Sequence, residues 1–142
     1  MPYREKIAWL YLAAIAATFG PYFVLVATNP PPADLLPNLP QLKLLAIAAI
    51  AQVVLIGIGH LVLRSLAPEE ARLPLDERDH EIRKRSVEWA YYALILGMIL
   101  VGCVMPFNSG GWKIVNAAIF MIIAAEVVHH GVVAVSYRRQ VG

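Results

Sequence analysis

Residues 42–66 read LKLLAIAAIAQVVLIGIGHLVLRSL, and between Lys43 and Arg64 lie twenty consecutive residues without a formal charge. An α-helix needs about 20 predominantly apolar residues to cross the hydrocarbon core of a bilayer, whereas a surface helix of a soluble domain keeps a charged face. Here apolar side chains occur all round the helix, and Gln52 and His60 are the polar exceptions. The stretch is predicted to be a membrane span, with Lys43 and Arg64 near its ends where long side chains can extend toward water.

Working outward, three more runs have the same character: 7–27, 87–105 and 113–137. The first follows Arg4 and Lys6, as a secretory signal would, but its 21 residues exceed the roughly 7–15 of a signal-peptide core, so it is predicted to be a span. Across all 142 residues, 59% are hydrophobic and 15% charged, with a mean hydropathy of +0.62. Soluble domains run at about half apolar and a quarter charged. The length accommodates four spans and no separate catalytic domain. Ten-residue alternation of apolar and polar positions is absent, and only helices or closed barrels satisfy the backbone in lipid. The predicted fold is an all-α integral membrane four-helix bundle, one domain over 1–142, built as two hairpins that each go out and back.

Lys and Arg sort the connections by side. Arg4 and Lys6, then Arg64, Arg72, Arg78, Arg83, Lys84 and Arg85, then Arg138 and Arg139 fall on one side, against Lys43 and Lys113 on the other. The positive-inside rule then places both termini and the connection 67–86 in the cytoplasm, and the protein in the cell's inner (plasma) membrane. The proline-rich Thr28 to Gln41 segment is expected to be a stiff exterior cap, and Phe107 to Trp112 a short turn. A net charge of +2 gives no reason to expect a nucleic-acid partner.

The cytoplasmic connection carries its own signal. Asp76 is an N-cap candidate, acids occupy the following turn, and Arg83-Lys84-Arg85 come later, so charge matches the helix dipole. Asp79 with Arg83, and Glu81 with Arg85, are acid-before-base pairs at helical spacing. One continuous helix of about 40 Å is expected from Glu77 to Met105, projecting into the cytoplasm. Asp76, Glu77, Arg78 and Asp79 are thus either a solvated, orientation-fixing helix start or a contact for a cytoplasmic protein partner.

Spans one and three share Trp-x-Tyr-x-Ala (Trp9, Tyr11, Ala13; Trp89, Tyr91, Ala93), and spans two and four share Ala-Ala-Ile with a histidine ten residues after the isoleucine (Ile50, His60; Ile119, His129). This is the pattern of a parallel internal repeat, with a twofold axis along the membrane normal. The aromatic pairs suit headgroup-level anchoring.

Glu126 stands near the middle of the fourth span, where an ionised acid costs at least ~3 kcal/mol. It must be protonated, paired or wet, and His129 and His130, three and four residues on, are within reach on a helix. Three readings of Glu126, His129, His130 and His60 stay open. They are helix-packing groups, a proton relay for transport or sensing through Glu126, or a site for haem b or a metal ion with His60 and His129 as ligands from two helices. Gln52 is predicted to hydrogen-bond between helices, and the lone Cys103 to be a small packing residue. Small residues along spans two and four permit close approach, so a homo-oligomer in the bilayer is expected. No G-x-S-x-G, phosphate-loop or dinucleotide motif is present, which directs the reading away from an enzyme.

From Asp76 to Gly97, through Asp76-Glu77-Arg78-Asp79, Ile82 and Tyr91-Tyr92, the chain resembles an uncharacterised family of small four-span prokaryotic membrane proteins in which a D-E-R-[DE] helix start precedes the third span. Members are often encoded beside a small helix-turn-helix regulator. The resemblance implies a non-enzymatic accessory, regulatory or immunity-type role and supplies no catalytic residues.

Overall fold

A computed structural model of the chain describes residues 1–30, 32 and 38–139. Its helices are α1 (Tyr3–Thr28), α2 (Leu39–Leu66), α3 (Pro68–Arg72), α4 (Glu77–Ile99) and α5 (Trp112–Arg138). The segments Tyr3–Thr28, Leu39–Leu66, Glu77–Phe107 and Trp112–Arg138 are each long and apolar enough to cross a membrane, and they enclose the four apolar runs. The chain is an all-α, multi-pass membrane protein. Of the expected proline-rich cap, residues 31 and 33–37 lie outside the described residues.

The long helices alternate in direction and pack in the spatial order α2, α1, α5, α4. At the α1–α2 seam Ile15, Phe19 and Tyr22 close over Ala48, with Ile119 and Ile123 of α5 against the same cluster. Polar bonds fix the register. The Tyr22 hydroxyl donates to the Asn116 side-chain oxygen at 2.7 Å, joining α1 to α5. The Thr18 hydroxyl lies 2.9 Å from the Ala14 carbonyl and 2.6 Å from the side-chain oxygen of Gln52 on α2. One hydroxyl proton cannot serve two acceptors, so the consistent arrangement has Thr18 donating to Ala14 and the Gln52 amide turned to donate to Thr18. At the α4–α5 seam a Cβ on Gly97 would come within 2.9 Å of the Met121 Cβ, so glycine there lets the helices close.

Local chemistry explains both ends of α4. Asp76 is its N-cap, accepting from the Asp79 amide at 2.7 Å while Asp79 accepts from the Asp76 amide at 3.2 Å, a reciprocal capping box. The expected uninterrupted helix to Met105 is instead α-helical to Ile99, widens into a π turn over Leu100–Val104 and tightens into a 3-10 turn over Met105–Phe107. Pro106 is the cause: it lacks an N–H and its ring crowds the preceding turn, so the regular ladder cannot run through it. Gly111 then adopts φ 57°, a left-handed conformation that glycine takes without a Cβ clash, and α5 starts at Trp112.

Neither expected ion pair along α4 forms. Among the described residues Asp79 pairs with Arg4 and Glu81 makes no ion pair. Among the described residues the far side of α2 is left uncovered: Ile47, Ile50, Val53 and Leu61 are all more than half exposed. Apolar area of that kind is stable only against lipid or another protein.

Candidate functional site

Helices α2 and α4 flank the α1–α5 pair without packing on each other as closely as those two do, and a cleft of about 820 Å3 opens among all four. Into it come Ile7 and Tyr11 from α1, His60 from α2, Arg83, Val87, Ala90, Tyr91 and Leu94 from α4, and Ala125, Glu126, His129 and His130 from α5. The cleft lies toward the end of the bundle that carries both termini.

Helical spacing on α5 brings Glu126 Oε2 to 3.6 Å from His130 Nε2, a charged pair only when the imidazole is protonated. His130 is buried; the Glu126 side chain is 55% exposed to the cleft side. The Tyr11 ring stacks on His130 at 4.1 Å, nearly parallel, and meets His60 edge-on at 5.7 Å. His129 turns its ring against His130 at 4.8 Å. Tyr11 therefore occupies the space between His60 and His130, and the four ionisable candidates of the sequence share one cleft with that ring in their midst. Gln52 is not among them; it sits higher in the bundle at the α1–α2 seam. Among the described residues no three His, Cys, Asp or Glu side chains converge at metal-binding distance.

A second constellation ties the same end of the molecule together. Arg4 Nη1 is 3.1 Å from Asp79 Oδ2, and Arg4 Nη2 donates to the Leu73 and Pro74 carbonyls at 3.2 Å each. The Tyr137 hydroxyl donates to Asp79 Oδ1. Asp79 thus joins the starts of α1 and α4 to the end of α5. Burial by itself would raise the Asp79 carboxyl, but bonds from Tyr137 and the Asp76 amide, with the charge of Arg4, outweigh it and hold the group below its ordinary value of 3.8. Asp76, Glu77 and Arg78 remain exposed on the outside of this clasp.

No known protein family, curated protein or solved structure matches this chain. The site's reading therefore rests on its own residues. Three of them escaped the sequence: Tyr11, Arg83 and Arg4. Tyr11 carries the same Trp-x-Tyr spacing as an interfacial anchor, and Trp9 and Trp89 are indeed exposed, yet Tyr11 itself turns inward onto histidine. Arg83 has its local acid four residues before it, and only the tertiary contact of Asp79 with Arg4 leaves Arg83 facing the cleft.

Proposed function

We propose that this is a small inner-membrane protein with both termini in the cytoplasm, acting without enzymatic chemistry as an accessory or regulatory protein that senses protonation at its histidine cleft. The observation that carries the reading is the Glu126 and His130 pair, 3.6 Å apart beneath the stacked Tyr11 ring. A proton added to His130 turns a neutral contact into an ion pair with Glu126 and changes how Tyr11 is held. Tyr11 and Arg4 lie two turns apart on α1, so movement of that ring is passed along a rigid helix to the clasp around Asp79. The exposed Glu77 and Arg78 beside the clasp offer a cytoplasmic partner a charged contact. The sorting of ten cations against two supports the orientation, and the likeness of residues 76–97 to a family often encoded with regulators supports the regulatory role.

The full-length protein in lipid nanodiscs, carrying a fluorophore pair across the ends of α1 and α4, is expected to change its transfer efficiency as the pH is lowered from 8 into the acid range below 5, where a buried imidazole takes up its proton. Glu126→Gln and His130→Gln should each flatten that change. An unaltered pH response in Glu126→Gln rules the reading out.

One observation favours a second reading, in which His60 and His129 hold a haem or metal ion: both line the same cleft. Tyr11 would have to yield to such a group, since its ring already meets His60. A Soret band lost in His60→Ala and in His129→Ala would establish it, and colourless protein after haem-supplemented expression, free of metal by elemental analysis, would dismiss it.

A further inference from the structure

Between α4 and α5 runs a second groove, of about 400 Å3, which none of the histidines lines. Arg85 and Arg139 both border it, and neither has an ion-pair partner among the described residues. Glu81 borders it too, one turn before Arg85, without pairing with it; in the groove and the hollow that adjoins it, Lys84, Arg85 and Arg139 stand beside Glu81 and Glu88. The remainder of the wall is apolar: Ile82, Val132 and Val135, with Trp89 along one side. Gly131 leaves the wall open, since a Cβ there would meet no atom within 4 Å.

The depth of these groups matters. Arg85 comes two residues before the run 87–105 and Arg139 two residues after 113–137, which sets both at the phosphate level of a leaflet. Trp89, 55% exposed, takes the level just inside it. Basic pockets between transmembrane helices at this level suit anionic lipid headgroups, whose phosphate each guanidinium can grip with two N–H donors.

We propose that this groove binds an anionic phospholipid, its phosphate between Arg85 and Arg139 and the start of an acyl chain along Val132, Val135 and Trp89. A zwitterionic lipid would bring its own cation against the two arginines. A free phosphate would satisfy the arginines and leave the apolar wall uncovered. The inference rests on the membrane character of the chain and is independent of the Glu126 cleft.

The test is native mass spectrometry of the full-length protein released from phosphatidylcholine nanodiscs doped with phosphatidylglycerol. Wild-type protein should retain phosphatidylglycerol in preference to phosphatidylcholine, and R85Q/R139Q should lower that retention roughly thirtyfold, at about 1 kcal/mol per lost cation. G131L, which keeps both arginines and fills the groove, should lower it too, whereas K113Q at the other end of the bundle should not. Three outcomes overturn the proposal: equal retention of the two lipids, undiminished retention in R85Q/R139Q, or an equal loss in K113Q. Displacement of the lipid by millimolar inorganic phosphate would also overturn it, in favour of a simple anion site. If G131L fails to insert, the arginine double variant still decides.

Discussion

Asp79 concentrates more of this protein's tertiary bonding than any charge within the apolar runs. Its two carboxylate oxygens serve an arginine from α1, a tyrosine from α5 and the amide of its own N-cap. Replacing it with alanine removes a charge-assisted pair and leaves Arg4 without its carboxylate, so a loss of about 1.5–3 kcal/mol is expected in thermal unfolding in nanodiscs. Arg4→Gln should cost less, because Tyr137 and the cap remain. The pH dependence follows from the depressed carboxyl: the unfolded group titrates higher than the folded one, so the clasp's contribution is complete above pH 3.8 and fades as the pH falls through the lower folded value. Acid unfolding curves of Asp79→Asn should lack that component. Thr18 and Gln52 make a second residue-scale case. Thr18→Val strands a polar amide at an apolar seam, and adding Gln52→Leu should recover part of the loss. Such bonds in membranes average about 0.6 kcal/mol, so a double-mutant cycle is the suitable measurement.

At the scale of elements, α4 shows how little of a helix's behaviour lies in its apolar run. Its start is set by the Asp76 and Asp79 box, and Asp76→Ala should cost about 1 kcal/mol and speed amide exchange in the first turn. Its end is set by Pro106 through the π turn. Helix contact is equally specific. At Gly97 an added methyl meets Met121 near its root, at the Cβ, which cannot swing aside, so Gly97→Ala should split α4 from α5 at a cost of about 1–3 kcal/mol. At Gly59 the obstacle is the far end of the Leu10 side chain, which can rotate, and at Gly57 there is none. Stability should therefore fall in the order Gly57→Ala, Gly59→Ala, Gly97→Ala, the last least stable.

For the whole molecule, the four spans form a row folded around a gap, and that gap holds the cleft. Orientation is tested by single cysteines on a Cys103→Ser background: residue 70 should react only from the cytoplasmic side and residue 109 only from the exterior. The reverse pattern would move the cleft and the clasp to the opposite face of the membrane. The unpacked side of α2 gives the expectation of a homo-oligomer its support. Cross-linking in native membranes should trap at least a dimer through cysteines at 50 or 57, and monomer alone at every expression level would leave that helix facing lipid.

Sequence by itself determined the spans, because crossing a bilayer demands a length and an apolarity that a 20-residue window cannot hide. It also determined the Asp76 start of α4, since a cap is a bond between residues three apart, and it picked out Glu126, His129, His130 and His60, since ionisable groups within apolar runs stand out. Local spacing stops there. Whether Asp79 would pair with Arg83 one turn away or with Arg4 across the bundle is a competition between a weak exposed helix pair and a partly buried site with three donors, and only the approach of α1 and α5 decides it. The same holds for Tyr11. Its spacing matches that of Tyr91, yet α1 lies between α2 and α5 while α4 stands at the edge of the row, so one tyrosine is carried onto His130 and the other is left more than half exposed. Which neighbour a helix face meets is a property of packing among distant segments, and no short stretch of this chain contains it.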